Sequence, residues 1–128
     1  MSITISESNP SESNDKFEIS EKTDGGYSVL ATCGDCVVSV INYADSISEE
    51  NQVKTERHME TDEIFIPVKG TATIVVGEEQ HRIIMEPGKI YNVKRGVWHS
   101  YLANPGSVVM VVEKKGTGEE NSEYRFKR

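Results

Sequence analysis

The sequence has few of the features that mark membrane or nucleic-acid-binding proteins. Its longest apolar runs, 37–41 and 108–112, have the length of strands and fall far below the roughly 18 residues needed to span a bilayer. Basic residues are also scarce, since 14 Lys and Arg stand against 21 Asp and Glu and leave a net charge of -7. Such a balance repels phosphate groups, so neither nucleic acid nor a membrane surface is expected as a partner.

Cysteine is equally scarce, and its two copies form a single CxxC, Cys33 and Cys36. A redox-active CxxC opens a helix whose dipole lowers the thiol pKa, whereas the β-branched residues after Cys36 are typical of a strand. A zinc knuckle would need a second cysteine pair. We therefore expect Gly34 and Asp35 to form a two-residue hairpin turn between reduced thiols.

The N-terminal segment lacks the pattern of a secretory signal, because residues 2–15 hold neither a basic start nor an apolar run. We therefore expect a cytoplasmic protein. The same segment is dominated by Ser, Asn, Glu and Asp, which bury too little surface to offset the entropy of ordering. The sequence thus predicts a flexible acidic arm over 1–15 and one compact domain over 16–128.

The rest of the chain reads as short strands, rich in Val, Ile, Thr and Tyr, that are separated by turn residues about every ten positions. This spacing predicts an all-β sandwich or barrel. The predicted strands are 26–32, 37–43, 53–58, 63–68, 71–76, 81–85, 89–93, 98–103, 107–113 and a final edge strand over 122–126, with one helical turn over 45–51. Alternation in 71–76 puts Ala72, Ile74 and Val76 on one face, as a half-buried strand requires.

Two histidines and a glutamate stand where neighbouring strands could bring them together. His58 and Glu63 flank a short turn, and His99 begins a later strand. Two imidazoles and a carboxylate inside one barrel make a site for a divalent transition metal with open positions for substrate. Zinc, iron, nickel and manganese all suit these ligands. Glu56 shares a strand face with His58 and could supply another oxygen.

Other side chains near these positions have both a binding and a structural interpretation. Tyr91 and Tyr101 could hydrogen-bond a ligand, although aromatic residues in strands usually pack. Arg57 and Arg95 could each hold a substrate carboxylate through two hydrogen bonds, against the alternative of a solvated surface role. Trp98 should point to the opposite side of its strand from the histidine that follows it, and so pack on the sheet.

These residues resemble the two sequence motifs of the cupin family. The run from Glu63 to Gly70 has the Glu-to-Gly spacing of the first motif. Gly88, followed after five residues by the segment from Lys94 to His99, matches the second motif. The resemblance covers about residues 53–112. It implies an all-β fold, a single cupin-type jelly-roll β-barrel domain, with the ligand site inside the barrel mouth.

The metal ligands that this resemblance implies depend on the gap before the motif glutamate. In the longer-gap form the family's two histidines fall on Glu56 and His58, and the ligands are Glu56, His58, Glu63 and His99. In the shorter-gap form they fall on Arg57 and Met59, and no metal is expected. Both forms remain open at the level of sequence.

Within the cupins, the chain looks most like ureidoglycolate lyase. Three segments carry this likeness: Glu56-Arg57-His58, followed at the family's spacing by Phe65-Ile66-Pro67, and a later Val97-Trp98-His99. The likeness implies a lyase- or isomerase-like enzyme for a polar small molecule that bears a carboxylate or carbonyl. Its catalytic residues would be His58, His99 and Glu63, with one histidine moving a proton while the other group or a metal stabilises negative charge.

Two further expectations follow from the cupin resemblance. A cupin that binds or senses a metabolite without catalysis is the alternative to an enzyme, because it would keep the barrel pocket without a histidine of tuned pKa. Small cupins are commonly dimers, and unpaired edge strands tend to find a partner. The candidate edges 27–32 and 123–126 therefore predict a homodimer.

Overall fold

The structure is a computed structural model, and it describes residues 15–127. The predicted acidic arm therefore lies, apart from Asp15, outside the described residues. Ten strands make up most of the described chain, and no described helix is long and apolar enough to cross a membrane. The strands are β1 (Gly26–Cys33), β2 (Cys36–Asn42), β3 (Lys54–His58), β4 (Glu63–Lys69), β5 (Ala72–Val76), β6 (His81–Met85), β7 (Tyr91–Val93), β8 (His99–Ala103), β9 (Val108–Lys114) and β10 (Ser122–Phe126).

The strands form two five-stranded antiparallel sheets that enclose the core. One sheet has the order β1-β2-β9-β4-β7, and the other has the order β10-β3-β8-β5-β6. Alternate residues of each strand point between the sheets, where Phe65, Ile74, Met85, Val109 and Val111 are almost fully buried. The expected all-β jelly-roll barrel is confirmed.

Strand β5 differs from the half-buried strand that its alternation predicts. Thr73 and Val75, on the face expected to be polar and solvated, are each only 8% exposed. The reason is the position of β5 in its sheet, where it pairs with β6 on one side and β8 on the other. Register places Thr73 beside Leu102 of β8, itself a buried residue. Strand β8, which is distant from β5 along the chain, thus helps to bury the second face of β5.

The remaining differences lie at the ends of elements. The strand predicted over 89–93 is shortened to Tyr91–Val93, and Ile90 is 68% exposed. The helical turn expected over 45–51 is a single 3-10 turn, Asp45–Ile47. Of the other strand ends, half match the prediction and half shift by one residue, which is the usual uncertainty of element boundaries.

The hairpin predicted at the CxxC is present. Cys33 and Cys36 are direct partners at the end of the β1–β2 pair, and both are exposed and free. Gly34 has a φ of 57°, a left-handed conformation that glycine adopts without steric cost. A positive φ at the first turn position is the pattern of a type II′ hairpin.

Candidate metal centre

The candidate centre forms where strands of both sheets reach the same end of the barrel. Glu56 and His58 lie on the inner face of β3, and Glu56 pairs directly with His99 at the start of β8. The turn after β3 carries the chain to the other sheet, where Glu63 begins β4. The carbonyl of His58 accepts a hydrogen bond of 2.8 Å from the amide of Gly96. This bond ties the turn before His99 to the end of β3.

Glu63 is the common partner of the two histidines. Its Oε1 lies 2.7 Å from Nε2 of His99 and 3.3 Å from Nε2 of His58. The two imidazole rings are 5.3 Å apart between centroids. Oε1 of Glu56 completes the group at 3.5 Å from Nε2 of His58 and 3.9 Å from Nε2 of His99. Glu63 and both histidines are buried, and Glu56 is half-buried.

The second nitrogen of each ring is held by a neutral partner. Nδ1 of His99 donates to the carbonyl of Val97 at 3.0 Å, since a carbonyl can only accept. Nδ1 of His58 lies 2.8 Å from Oγ of Ser122 on β10. Both rings therefore present Nε2 to the centre, which is how metal-binding histidines are usually fixed by a second shell of hydrogen bonds.

The electrostatics of the metal-free centre favour charged side chains. Burial opposes a charge on His58, but hydrogen bonds to Glu56 and Glu63 outweigh it and raise the imidazole pKa to about 10. Burial also opposes a charge on His99, whose pKa is raised by its hydrogen bond to Glu63. Burial opposes ionisation of Glu63 in turn, yet hydrogen bonds from both histidines lower the pKa of this carboxyl. The shifts thus favour the protonated form of both imidazoles beside the ionised forms of Glu56 and Glu63.

This donor set suits a divalent metal ion. One ligand atom from each of Glu56, His58, Glu63 and His99 lies within 4.8 Å of the others. Nitrogen and carboxylate oxygen together are ligands for zinc, iron, nickel or manganese. A dication that displaces the two Nε2 protons leaves the net charge unchanged. Within residues 15–127, this is the group of His, Cys, Asp and Glu side chains that could hold a metal ion.

The geometry matches the longer-gap form of the first motif. Arg57, on the outer face of β3, donates from Nη2 to Oε1 of Glu123 at 2.9 Å. Met59 is 41% exposed. The shorter-gap form would require the side chains of these two residues to face the centre. They do not, because neighbouring strand residues point to opposite faces. Glu56 instead lies beside His58 and His99.

A cavity of about 310 Å³ opens beside the centre. Its walls are mainly apolar, with Ile41, Ile47 and Phe65 on them, and its polar groups include Lys54 and Tyr124. A few polar groups in a mainly apolar cavity are typical of small-molecule sites. The cavity can therefore present a small ligand to the four side chains of the centre.

The structure brings only one of the four predicted substrate-binding residues to this cavity. Tyr101 lines it and stacks on Phe65, with 5.7 Å between ring centroids. Tyr91 instead packs against the core, and its hydroxyl accepts from the amide of Glu86. Arg95 is exposed and is held through its backbone amide, which donates to Asp62.

Arg57 also lies away from the cavity, on the outer face of the sheet. There its guanidinium and that of Arg125 lie 4.9 and 3.9 Å from the centroid of the Trp98 ring. Trp98 thus packs on the side opposite His99, as expected. The predicted substrate contact of Arg57 is therefore replaced by cation–π and ion-pair contacts.

Sequence reasoning missed Glu113, which lies on the cavity wall. The residue ends the Val-rich strand β9, on the same face as Val109 and Val111, and is only 8% exposed. A carboxyl group in register with two core valines was the available signal, because alternate strand residues share one face. Tyr27 donates a hydrogen bond to Glu113, and Ser39 donates one to Tyr27. Neither of these two residues carried such a signal in the sequence.

Fold and centre together define a cupin-type barrel, and comparison with known families agrees. A family model described as a cupin domain matches residues 47–112, more than half of the chain. The chain belongs to the cupin family. No curated protein sequence matches it significantly.

Solved structures of low sequence identity share the fold. A cupin-2 domain containing protein from Shewanella frigidimarina is 22% identical, with a TM-score of 0.58 over 74% of this chain and 85% of that one. KdgF from Halomonas sp. is 16% identical, with a TM-score of 0.53 over 69% of this chain and 76% of that one. Pac13, a nucleoside dehydratase from Streptomyces, is 9% identical, with a TM-score of 0.61 over 85% of this chain and 88% of that one.

Proposed function

We propose that this cupin is an enzyme that binds a divalent metal ion and acts on a small polar metabolite bearing a carboxylate or carbonyl group. The observation that supports the proposal is the convergence of Glu56, His58, Glu63 and His99 at the cavity. The metal, when bound, supplies a Lewis acid that stabilises negative charge on a substrate oxygen. The reaction class is a lyase or isomerase reaction.

The roles of the side chains follow from their positions. Glu56, His58, Glu63 and His99 would hold the ion. A histidine that does not hold the ion would instead take or return a proton through Nε2. Tyr101, which lines the cavity and stacks on Phe65, would contact the bound metabolite.

Relatives and sequence likeness narrow the chemistry to be tested first. The segments shared with ureidoglycolate lyase make ureidoglycolate a first substrate to try. Pac13 is described as a nucleoside dehydratase and was solved with uridine. A dehydratase eliminates water, which is also a lyase reaction. The likeness to ureidoglycolate lyase and the fold shared with Pac13 both favour elimination from a hydroxylated compound as the reaction to test.

A second candidate function is metabolite binding without catalysis. The observation that favours it is that Nε2 of each histidine is paired with Glu63 rather than free to act as a base on a ligand. Binding of a metabolite without turnover, in metal-loaded protein, would establish this alternative.

The proposal predicts that His58→Ala and His99→Ala each abolish binding of Mn²⁺ to chelator-treated protein. Each substitution also leaves buried Glu63 with one fewer cationic partner, so both variants should lose stability, and their Mn²⁺ affinity is compared in the folded fraction. Glu56→Ala should weaken binding less than either histidine variant, because Glu56 is the most distant and most exposed ligand. Calorimetric titration measures the affinity, and circular dichroism checks the fold.

His81→Ala is the matched control, since His81 is an exposed histidine on β6 outside the centre. Its Mn²⁺ affinity should equal that of the original protein. Mn²⁺ is the chosen probe because thiols such as those of Cys33 and Cys36 have little affinity for it. Unchanged binding in both histidine variants would overturn the metal site. Turnover of ureidoglycolate and related hydroxy acids, with and without metal, then separates the enzyme from the binding protein.

A further inference from the structure

A second carboxyl group faces Glu63 across the sheet. Strands β4 and β9 pair with Ile64 opposite Val112, and the same register continued by one residue sets Glu63 opposite Glu113. Side chains directly opposite on one face lie about 4.5–5.5 Å apart between Cβ atoms, and like charges there are destabilising. Both carboxyl groups are on the inner face and both residues are buried.

Glu113 is held by a chain of hydrogen bonds from two other strands. Its Oε1 accepts from the hydroxyl of Tyr27 at 2.8 Å, and that hydroxyl accepts from Oγ of Ser39 at 2.8 Å. Its Oε2 is buried and has no hydrogen-bond partner within the described part of the chain. Burial, and next the charge of Glu63, raise the pKa of Glu113 to about 7.

No cationic Lys or Arg compensates these two carboxyl groups. Among the described residues, Glu63 forms ion pairs only with the two histidines, and Glu113 forms none with Lys or Arg. A buried polar atom without a partner is destabilising, and more so when it is charged. Such an arrangement lowers the stability of the protein below that of a chain with an uncharged side chain at position 113.

We propose that Glu113, fixed by Tyr27 and Ser39, is a positioning residue that turns Glu63 toward the histidines and adds negative potential favouring a divalent cation at the centre. The inference rests on the proposed metal site. Glu113 is not one of the four candidate ligands, and it would act on the metal through its effect on Glu63. Groups that support metal ligands in this way commonly change metal affinity by about 10–100-fold.

The substitution Glu113→Gln separates this role from a merely structural one. Glutamine keeps the shape of the side chain and the oxygen that accepts from Tyr27, but it removes the charge opposite Glu63. The metal-free variant should therefore unfold at a higher temperature than the original protein, while its Mn²⁺ affinity falls by about tenfold or more. A residue that only supports packing would lower both quantities together.

The experiment titrates Mn²⁺ into chelator-treated full-length protein at about pH 8, with calorimetry for affinity and thermal unfolding for stability. Glu120→Gln, at an exposed carboxyl outside the cavity, is the matched control and should change neither quantity. Tyr27→Phe removes the hydroxyl that fixes Glu113, and its Mn²⁺ affinity should fall by a smaller factor. It also tests the inference if Glu113→Gln fails to fold.

The outcomes distinguish this inference from the proposed function. Mn²⁺ affinities of Glu113→Gln and Tyr27→Phe equal to that of the original protein would overturn the role of Glu113 and leave the metal site intact. A fall in both stability and affinity for Glu113→Gln would also overturn it, in favour of a structural role. Absence of Mn²⁺ binding by the original protein would overturn the proposed metal site, and with it this inference.

Discussion

Each histidine of the candidate centre uses its two ring nitrogens for different purposes. His99 donates from Nδ1 to the carbonyl of Val97, and His58 places Nδ1 against Ser122. Nε2 of each ring is left for Glu63 or for a metal ion. Protons and a metal thus compete for the same two nitrogens, so metal affinity should rise with pH as protons are released.

The shifted pKa values predict that the metal-free protein loses stability as pH rises. The pKa of His58 is raised from 6.5 to about 10, so its stabilising contribution is complete below pH 6.5 and is lost as pH rises through about 10. The pKa of Glu113 is raised from 4.5 to about 7, so its contribution is lost between those values. Thermal unfolding in chelator from about pH 5 to 10 measures this.

The midpoint temperature of unfolding should fall as pH rises across this range. The Glu113→Gln variant should lack only the part of that fall that occurs below about pH 7. Glu56 and Glu63 do not alter the sign, because their pKa values are lowered and both are ionised throughout. A midpoint that stays constant or rises with pH would show that the histidines are not paired with carboxylates in solution.

The sequence identified some of these residues and missed others for a physical reason. His58, Glu63 and His99 could be found because each stands beside a turn residue within a recognisable motif. The burial of Glu113 could have been inferred from its alternation with Val109 and Val111, but its position opposite Glu63 could not, since that depends on the pairing of β4 with β9, which are distant along the chain. Arg57 lies away from the cavity, which agrees with the surface role that the sequence also allowed, because strand alternation sends it to the face opposite Glu56 and His58.

At the level of elements, turn residues allowed most strands to be located. Gly and Pro pairs end strands for conformational reasons that act locally, so β6 was predicted with its observed bounds, and alternation in the tail located β10. The burial of β5 on both faces was not predictable in this way. It depends on which strands flank β5 in the sheet, and this is decided by contacts across the whole domain.

The turn between β4 and β5 offers a test of the fold at this scale. Gly70 has a φ of 66°, and a Cβ there would lie 3.2 Å from Cα of Ser107. Gly106 has a φ of 78° with open space around it. Gly106→Ala should cost roughly 1–2 kcal/mol of stability for the left-handed backbone alone, and Gly70→Ala should cost more because of crowding.

Urea unfolding of both glycine variants measures the difference. Neither residue lines the cavity, so Mn²⁺ affinity should not change in the folded fraction. Equal losses of stability would show that the backbone of Ser107 moves away to accept the added methyl group.

At the level of the whole molecule, the two sheets leave edge strands open. Strand β1 ends one sheet and β10 ends the other. Exposed apolar side chains lie on both, with Val29 at 49% and Phe126 at 71% exposure. Unpaired strand edges favour association, so the homodimer remains our prediction.

Light scattering at micromolar protein should give twice the chain mass, and Phe126→Glu should shift the protein toward the monomer if β10 forms the contact. The exposed Glu79→Gln variant serves as a surface control, since Glu79 lies in the β5–β6 turn. A monomer mass for the original protein at that concentration would contradict the prediction.

The central claim is that the barrel brings Glu56, His58, Glu63 and His99 together to hold a divalent metal ion at the mouth of a ligand cavity. Anomalous X-ray diffraction from crystals of the protein grown with Mn²⁺ tests this most directly. The account predicts one strong anomalous peak among these four side chains, within about 2.0–2.3 Å of both Nε2 atoms. No peak there, with Nε2 of His99 still hydrogen-bonded to Glu63, would contradict the account.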